Sequence, residues 1–300
     1  VPHIYQPFQR TLANNVSCTG VGLHTGQNLS MTLKPAPEDT GICFIRTDIK
    51  GKPNEIRASY ENVTGTQLGT NLTNIAGVQV GTVEHLMAAL WGCDIDNCYV
   101  EVDGPEVPVM DGSSEPFVFL VECAGVKVQA KTRQVVEVLK VVTLEENGCR
   151  ASISPHDAFC ISLEIDFASK AIARQTCVFD VRDSSFKTDL SRARTFGFIQ
   201  EVEKLREMGL ARGGSLDNAI VIDGDTVMNE EGLRFNDEFV RHKVLDCIGD
   251  VYLAGSHIQG HIEGYRSGHA INNKLLRKLF ADETAWRVKR LPEASAASAN

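Results

Sequence analysis

The stretch Arg241-His242-Lys243-Val244-Leu245-Asp246-Cys247-Ile248-Gly249-Asp250 decides the reading of this chain. Val240, Val244, Cys247, Ile248 and Val251 recur at helical spacing, which predicts a largely buried helix over 237–254. Asn236-Asp237-Glu238 precedes it, a polar and acidic start suited to the free N–H groups of a helix N-terminus. His242 and Asp246 stand four apart and share a face, with Asp250 one turn further and Lys243 beside the histidine. Such groups in an apolar helix are unfavourable unless something binds or pairs with them. The spacing fits a ligand pair and a buried salt-bridge cluster equally well, because His-x-x-x-Asp is far looser than a full metal signature.

The composition bounds the answer. With 300 residues the chain makes one large or two ordinary domains, and 43% hydrophobic with 23% charged residues marks a soluble globular protein. A net charge of −9 argues against general nucleic-acid binding and leaves any anionic ligand to a local basic patch. Nine cysteines without CxxC spacing read as buried or free thiols in a reducing cytoplasm, with no signal peptide and no apolar run able to span a bilayer. The small, polar stretch from Leu291 to Asn300 reads as a flexible tail.

Working outward, residues 11–12, 28–33 and 41–45 are strand-like. GVGLHTG (20–26) is no dinucleotide loop, since its third glycine falls one place late and a strand follows it; His24 reads as an ordinary turn histidine. The Thr/Asn/Gly-rich excursion at 60–81 has strand-like pieces at 66–72 and 76–80, either a ribbon lining a site or a surface hairpin. Gly81-Thr82 opens the apolar helix VEHLMAALWG, with Thr82 as N-cap and Glu84 and His85 in its first turn. A strand at 97–102, a loop (103–114) and a helix (116–125) follow, and Asp111–Ser114 reads as a turn and cap.

The second half echoes the first: strands at 134–144, 149–153 and 159–167, the helix at 237–254, a strand at 260–265 and a helix at 271–280. The order strands, helix, strand, helix therefore occurs twice. The expected fold is α+β, with two similar domains at 1–131 and 132–290, each a layered sheet-plus-helix unit. The helices 82–91 and 237–254 would pack together between the sheets and bring Glu84 and His85 near His242 and Asp246. An insertion in the second half holds an amphipathic helix, 201–211, whose Val202, Leu205, Met208 and Leu210 read by pattern as closing over the core. His85, His242 and Asp246 together have the composition of a catalytic zinc site with one open position. Glu84 is placed to act as a base, and HExxH, GxSxG and P-loop signatures are absent.

TVEHL (82–86), RARTFGF (192–198), HKVLDCIGD (242–250) and SGHAINN (267–273) resemble the motifs of the UDP-3-O-acyl-N-acetylglucosamine deacetylases. GVGLHTG (20–26), EVPVMDGSSEPFVFL (106–120) and NEEGLRFNDEFVRHK (229–243) agree, so the resemblance runs from about Arg10 to Trp286. It implies a Zn²⁺ hydrolase that removes acetate from a UDP-linked, acylated glucosamine in lipid A biosynthesis. The implied metal ligands are His85, His242 and Asp246, and the implied catalytic set is Glu84, Thr195, His269 and Asp250. Glu84 would be the base, Thr195 and protonated His269 the oxyanion donors, His269 the proton donor to the leaving amine, and Asp250 its partner. Lys243 would meet an anionic part of the nucleotide. The family carries an insert in each domain, here 60–80 and 197–223, the second forming a passage for the acyl chain. Phe196, Val202, Leu205, Ala211 and Val221 are its expected substrate-binding residues.

The chain departs from the family after Glu164–Phe167, where Ala168-Ser169-Lys170 replaces a common His-Pro pair, and at Arg266, a lysine in some relatives. The resemblance implies a cytoplasmic bacterial monomer near the inner membrane face, with no nucleic-acid partner, no stable membrane insertion and at most transient contact with the membrane surface. Its competitors are another zinc amidase and a non-catalytic binder of UDP-linked lipids.

Overall fold

The computed structural model describes residues 6–291, so the expected tail, Leu291 aside, lies outside the described residues. Among these residues the α-helices are α1 (Glu84–Gly92), α2 (Glu115–Ala124), α3 (Ile199–Glu207), α4 (Glu238–Tyr252) and α5 (His269–Ala281). Two sheets repeat one strand order. In the first half it is Val16–Val21, Asn28–Pro35, Cys98–Val102, Ile42–Arg46, Glu55–Arg57. In the second it is Val142–Glu146, Cys149–Ser154, His257–Tyr265, Phe159–Asp166, Arg174–Asp180. Each order contains one parallel pair, Ile42–Arg46 with Cys98–Val102 and Phe159–Asp166 with His257–Tyr265. A parallel pair needs a crossover, and α1 and α4 lie in the two crossovers. The fold is a two-domain α+β arrangement.

Period-two burial explains the layering. Leu29, Met31 and Leu33 are buried on one strand while Asn28 and Ser30 are exposed; Phe159, Ile161, Leu163 and Ile165 are buried on another. The inward faces cover the helices. α1 is buried from Glu84 to Trp91 and packs on α2 and α4, while α4 lies on the second sheet and α5 on Val142–Glu146 and Cys149–Ser154. Gly249 sets how closely α1 and α4 approach, since a Cβ there would fall 2.0 Å from the Glu84 carbonyl oxygen. A side chain would push apart the helices that carry the polar residues.

Several expectations change. The single strand at 134–144 is two strands, Gln134–Val138 and Val142–Glu146, because Leu139-Lys140-Val141 turn outward into solvent and break the alternation. Strands at Val16–Val21, Val126–Thr132, Arg174–Asp180 and Trp286–Arg290 were not distinguished in the sequence. Thr82 is not the N-cap of α1. It sits at φ 55° and gives its hydroxyl to Glu106, and α1 begins at Glu84. Nor do the acids at the start of α4 cap it with their side chains. Asp237 accepts from Arg241, and the fully buried Glu238 accepts from the Arg194 and Arg234 backbones and the Arg194 guanidinium. The helix expected at 201–211 ends at Glu207, followed by Gly209 at φ 81° and Ala211 at φ 51°. No residue of α3 is buried, so it does not close over a core. Among the described residues no helix is long and apolar enough to cross a membrane.

Candidate active site

His85 projects from α1 and His242 and Asp246 from α4, across the seam that Gly249 keeps narrow. Their ligand atoms all lie within 4.8 Å of one another. The Asp246 Oδ1 is 3.4 Å from His85 Nε2 and 3.2 Å from His242 Nε2, and the two rings meet edge to face at 4.9 Å. His242 Nδ1 lies 3.0 Å from the Ala193 carbonyl, so Nδ1 donates and Nε2 presents its lone pair toward the cluster. The Arg194–Glu238 pair holds the chain after Ala193 against the start of α4 and so fixes that carbonyl. Ser114, ahead of α2, donates to the His85 carbonyl at 2.7 Å.

These residues fit a metal ion on two observations. The Asp246 Oδ1 is buried without a hydrogen-bond partner, although both imidazole nitrogens face it. The centre also holds three carboxylates (Glu84, Asp246 and Asp250) against two cations (Lys243 and charged His269), a net negative charge that favours a bound cation. Burial opposes ionisation of Asp246, but His242 and Lys243 hold it well below the ordinary carboxylate range. Burial likewise opposes charge on His85, yet Asp246 and Glu84 raise its pKa; the field that draws a proton there would draw a cation.

A second tier of polar groups surrounds the cluster. His269 opens α5, with its Nδ1 2.8 Å from Asp250 Oδ2 and its Nε2 3.8 Å from Glu84 Oε1 and 4.0 Å from Asp246 Oδ2. Burial disfavours charge on this ring, but Asp250, with Glu84 and Asp246 beyond it, pushes its pKa up to about 9. Asn272 also donates to Asp250 Oδ2, at 2.9 Å. Lys243 reaches Asp246 Oδ2 at 2.9 Å; burial works against its charge, and Asp246 raises its pKa all the same.

Beside the centre, the second insert forms an apolar cavity of about 300 Å³. Phe196, Val202, Leu205, Ala211 and Val221 line it together, and Thr195 stands in its wall. The strands Phe196–Phe198 and Ile220–Asp223 pair in parallel to form its floor, and Phe196 packs edge-on to Phe239 of α4 at 5.0 Å. The opposite wall comes from the first half: Leu23, His24 and Leu68, with His24 Nε2 3.2 Å from the Leu68 carbonyl. His24 lies in a turn, as expected, and is also part of the cavity wall. The turn is held by the buried Glu106, which accepts from the backbones of His24 and Thr25 and the hydroxyls of Thr25 and Thr82. A separate cavity gathers Lys243, Arg266, Ser267 and Phe167 around Cys149.

Pattern reading overlooked Leu23, Leu68, Thr70, Glu106 and Asn272. Leu23, Glu106 and Asn272 carried a usable signal, since they lie in the GVGLHTG, EVPVMDGSSEPFVFL and SGHAINN motifs; Leu68 and Thr70 sit in a turn-rich stretch where nothing separates them from their neighbours.

Comparison with known proteins agrees with this arrangement. A family profile described as UDP-3-O-acyl N-acetylglycosamine deacetylase matches residues 9–281. A UDP-3-O-acyl-N-acetylglucosamine deacetylase of Marinobacter nauticus is 52% identical over 282 residues, 93% of this chain and 92% of its own length. One of Hahella chejuensis is 49% identical over 291 residues, 96% of each chain. With the profile spanning residues 9–281 and both relatives matched over more than 90% of each chain, this chain belongs to the UDP-3-O-acyl N-acetylglycosamine deacetylase family.

Proposed function

We propose that this chain hydrolyses the N-acetyl group of UDP-3-O-(3-hydroxyacyl)-N-acetylglucosamine, releasing acetate, in lipid A biosynthesis, with Zn²⁺ held by His85, His242 and Asp246. Two neutral imidazoles and a carboxylate are a catalytic zinc donor set, and the bound ion would supply Lewis acidity toward water and the amide carbonyl. Glu84 takes a proton from the attacking water. The Thr195 hydroxyl and the His269 N–H donate to the oxygen that becomes negative as the carbonyl is attacked. His269, held charged by Asp250, then gives its Nε2 proton to the glucosamine nitrogen as the C–N bond breaks. Water and amide are thereby converted to acetate and amine. Lys243 meets an anionic part of the nucleotide, and Phe196, Val202, Leu205, Ala211 and Val221 hold the 3-O-acyl chain.

The observation that carries this reading is the meeting, at one seam, of a buried carboxylate and a charged imidazole beside the His85–His242–Asp246 cluster. A closed structural zinc site would not need that pair. The domain division proposed with it falls between 131 and 132, with inserts at about 60–80 and 197–223. The proposed working form is a cytoplasmic monomer that meets its amphipathic substrate near the membrane surface. The deciding experiment measures acetate release from the UDP-linked acylated sugar and from acetylated peptides, with metal content before and after chelation. Release from the sugar alone, lost on chelation and restored by Zn²⁺, is expected; equal activity on peptides or indifference to chelation would overturn the proposal.

A further inference from the structure

The first insert also reaches the centre, and Thr70 makes its hydrogen bonds there. Thr70, 2% exposed, lies between the strands Val63–Gly65 and Asn71–Thr73. Its backbone N–H donates to Glu84 Oε2 at 3.0 Å, and its hydroxyl donates to Asp250 Oδ1 at 2.6 Å. One residue therefore grips the carboxylate at the start of α1 and, 180 positions away in sequence, the carboxylate that holds His269. The hydroxyl completes Asp250: Oδ2 takes His269 and Asn272, which leaves Oδ1 to Thr70.

Two features show that Thr70 is delivered to this place rather than left there. Gly69, at φ 155°, passes so close that a Cβ would lie 3.0 Å from Glu84 Oε1, so a side chain there would strain the backbone and press on the carboxylate. The base of the insert is clamped to α5, the helix that begins with His269. Arg277 donates to the Tyr60 carbonyl at 2.8 Å and the Val63 carbonyl at 3.3 Å, and Asn273 to the Tyr60 carbonyl at 3.1 Å. α5 thus presents His269 at one end and anchors the segment carrying Thr70 along its side.

We propose that Thr70 is a positioning residue of the deacetylation centre: its N–H places the Glu84 carboxylate, and its hydroxyl, through Asp250, places His269. A single residue of the first insert then fixes proton acceptor and proton donor relative to one another. This rests on the function proposed above for Glu84, Asp250 and His269. Thr70→Val keeps the shape and the N–H but removes the hydroxyl, leaving Asp250 Oδ1 buried without its donor.

The test is a double-mutant cycle on kcat and KM with the UDP-linked acylated sugar, using Thr70→Val, Thr70→Ser, Asp250→Asn and the Thr70→Val/Asp250→Asn pair, with metal content and thermal unfolding measured alongside. Thr70→Val should lower kcat by about 10-fold, the usual order for losing a hydrogen bond to a charged group, with KM and metal content held. Thr70→Ser should recover most of that loss. In the Asp250→Asn background Thr70→Val should add little, because both changes act on the same imidazole. Wild-type kcat in Thr70→Val, or a full independent loss in the double variant, overturns the inference. If Thr70→Val lowers the unfolding temperature, Thr70→Ala is put through the same cycle, and a loss there that does not depend on Asp250 marks a purely structural role. Should Asp250→Asn and His269→Ala themselves keep full kcat, the functional reading has failed rather than the role of Thr70.

Discussion

The seam between α1 and α4 and the cavity beside α3 lie next to each other and are built on opposite principles. At the seam polar atoms are held by particular partners: His242 Nδ1 by a backbone carbonyl, Glu84 Oε2 by Thr70, Asp250 by three donors. Asp246 Oδ1, which faces both imidazoles, is buried without one. In the cavity wall α3 buries no residue, and Val202 and Leu205 are only half-buried beside an empty apolar space. Charge in a buried place must be held by particular atoms at particular distances, whereas apolar contact needs only area and volume. Substitutions should therefore act sharply and individually at the seam, and gradually and by chain length at the cavity.

The largest break of that contrast is removal of a ligand. His242→Ala should lose the metal and with it the activity, while the fold is retained on the sheets beneath α4. Metal analysis with circular dichroism checks this, and full metal retention would show that the ligand set is wrongly assigned. Next is Glu84→Ala, expected to keep its metal but lower kcat by about 10²–10⁴-fold, the range for a missing general base. A parallel loss of metal would mean that Glu84 acts at the metal site and not as a base.

Asp250→Asn sharpens the electrostatic half of the comparison. In the proposed reaction His269 donates as the cation, and with its pKa pushed up to about 9, kcat/KM should hold below that pH and fall as pH rises through it. Without the Asp250 charge the pKa drops, so the falling limb should move to lower pH, toward the ordinary histidine value of about 6.5. A pH–rate profile with its basic limb unmoved would assign that limb to another group.

The smallest effect belongs to the cavity. Affinity should rise with acyl length by about 0.8 kcal/mol per methylene buried, and Leu205→Trp should remove that gain for long chains while sparing short ones. A uniform loss at every length, with a lowered melting temperature, would return α3 to a structural role. Leu205 is the better probe than Ala211, because Ala211 sits at φ 51° and a bulky residue there would report backbone strain as well as lost volume.

Local order fixed much of this protein in advance. The apolar periodicity of 237–254 and 82–91 specified two buried helices, and the doubled element order specified two similar units, because amphipathic pattern and turn chemistry are short-range properties. The i,i+4 spacing placed His242 and Asp246 on one face before any tertiary contact was known. That spacing could not tell a metal site from an ion-pair cluster; family motifs carried that distinction, as they carried the proposal of an acyl passage where pattern alone read a core-closing helix. Tertiary structure alone decided the rest. Which way Asp246 Oδ1 faces, that Glu106 rather than a helix end takes the Thr82 hydroxyl, that Leu23, His24 and Leu68 wall the cavity opposite the second insert, and that Thr70 meets Asp250 are all contacts between residues far apart in the chain. Partners separated by 180 positions leave no periodic trace, because a hydrogen bond constrains the distance between two atoms and not the sequence between them.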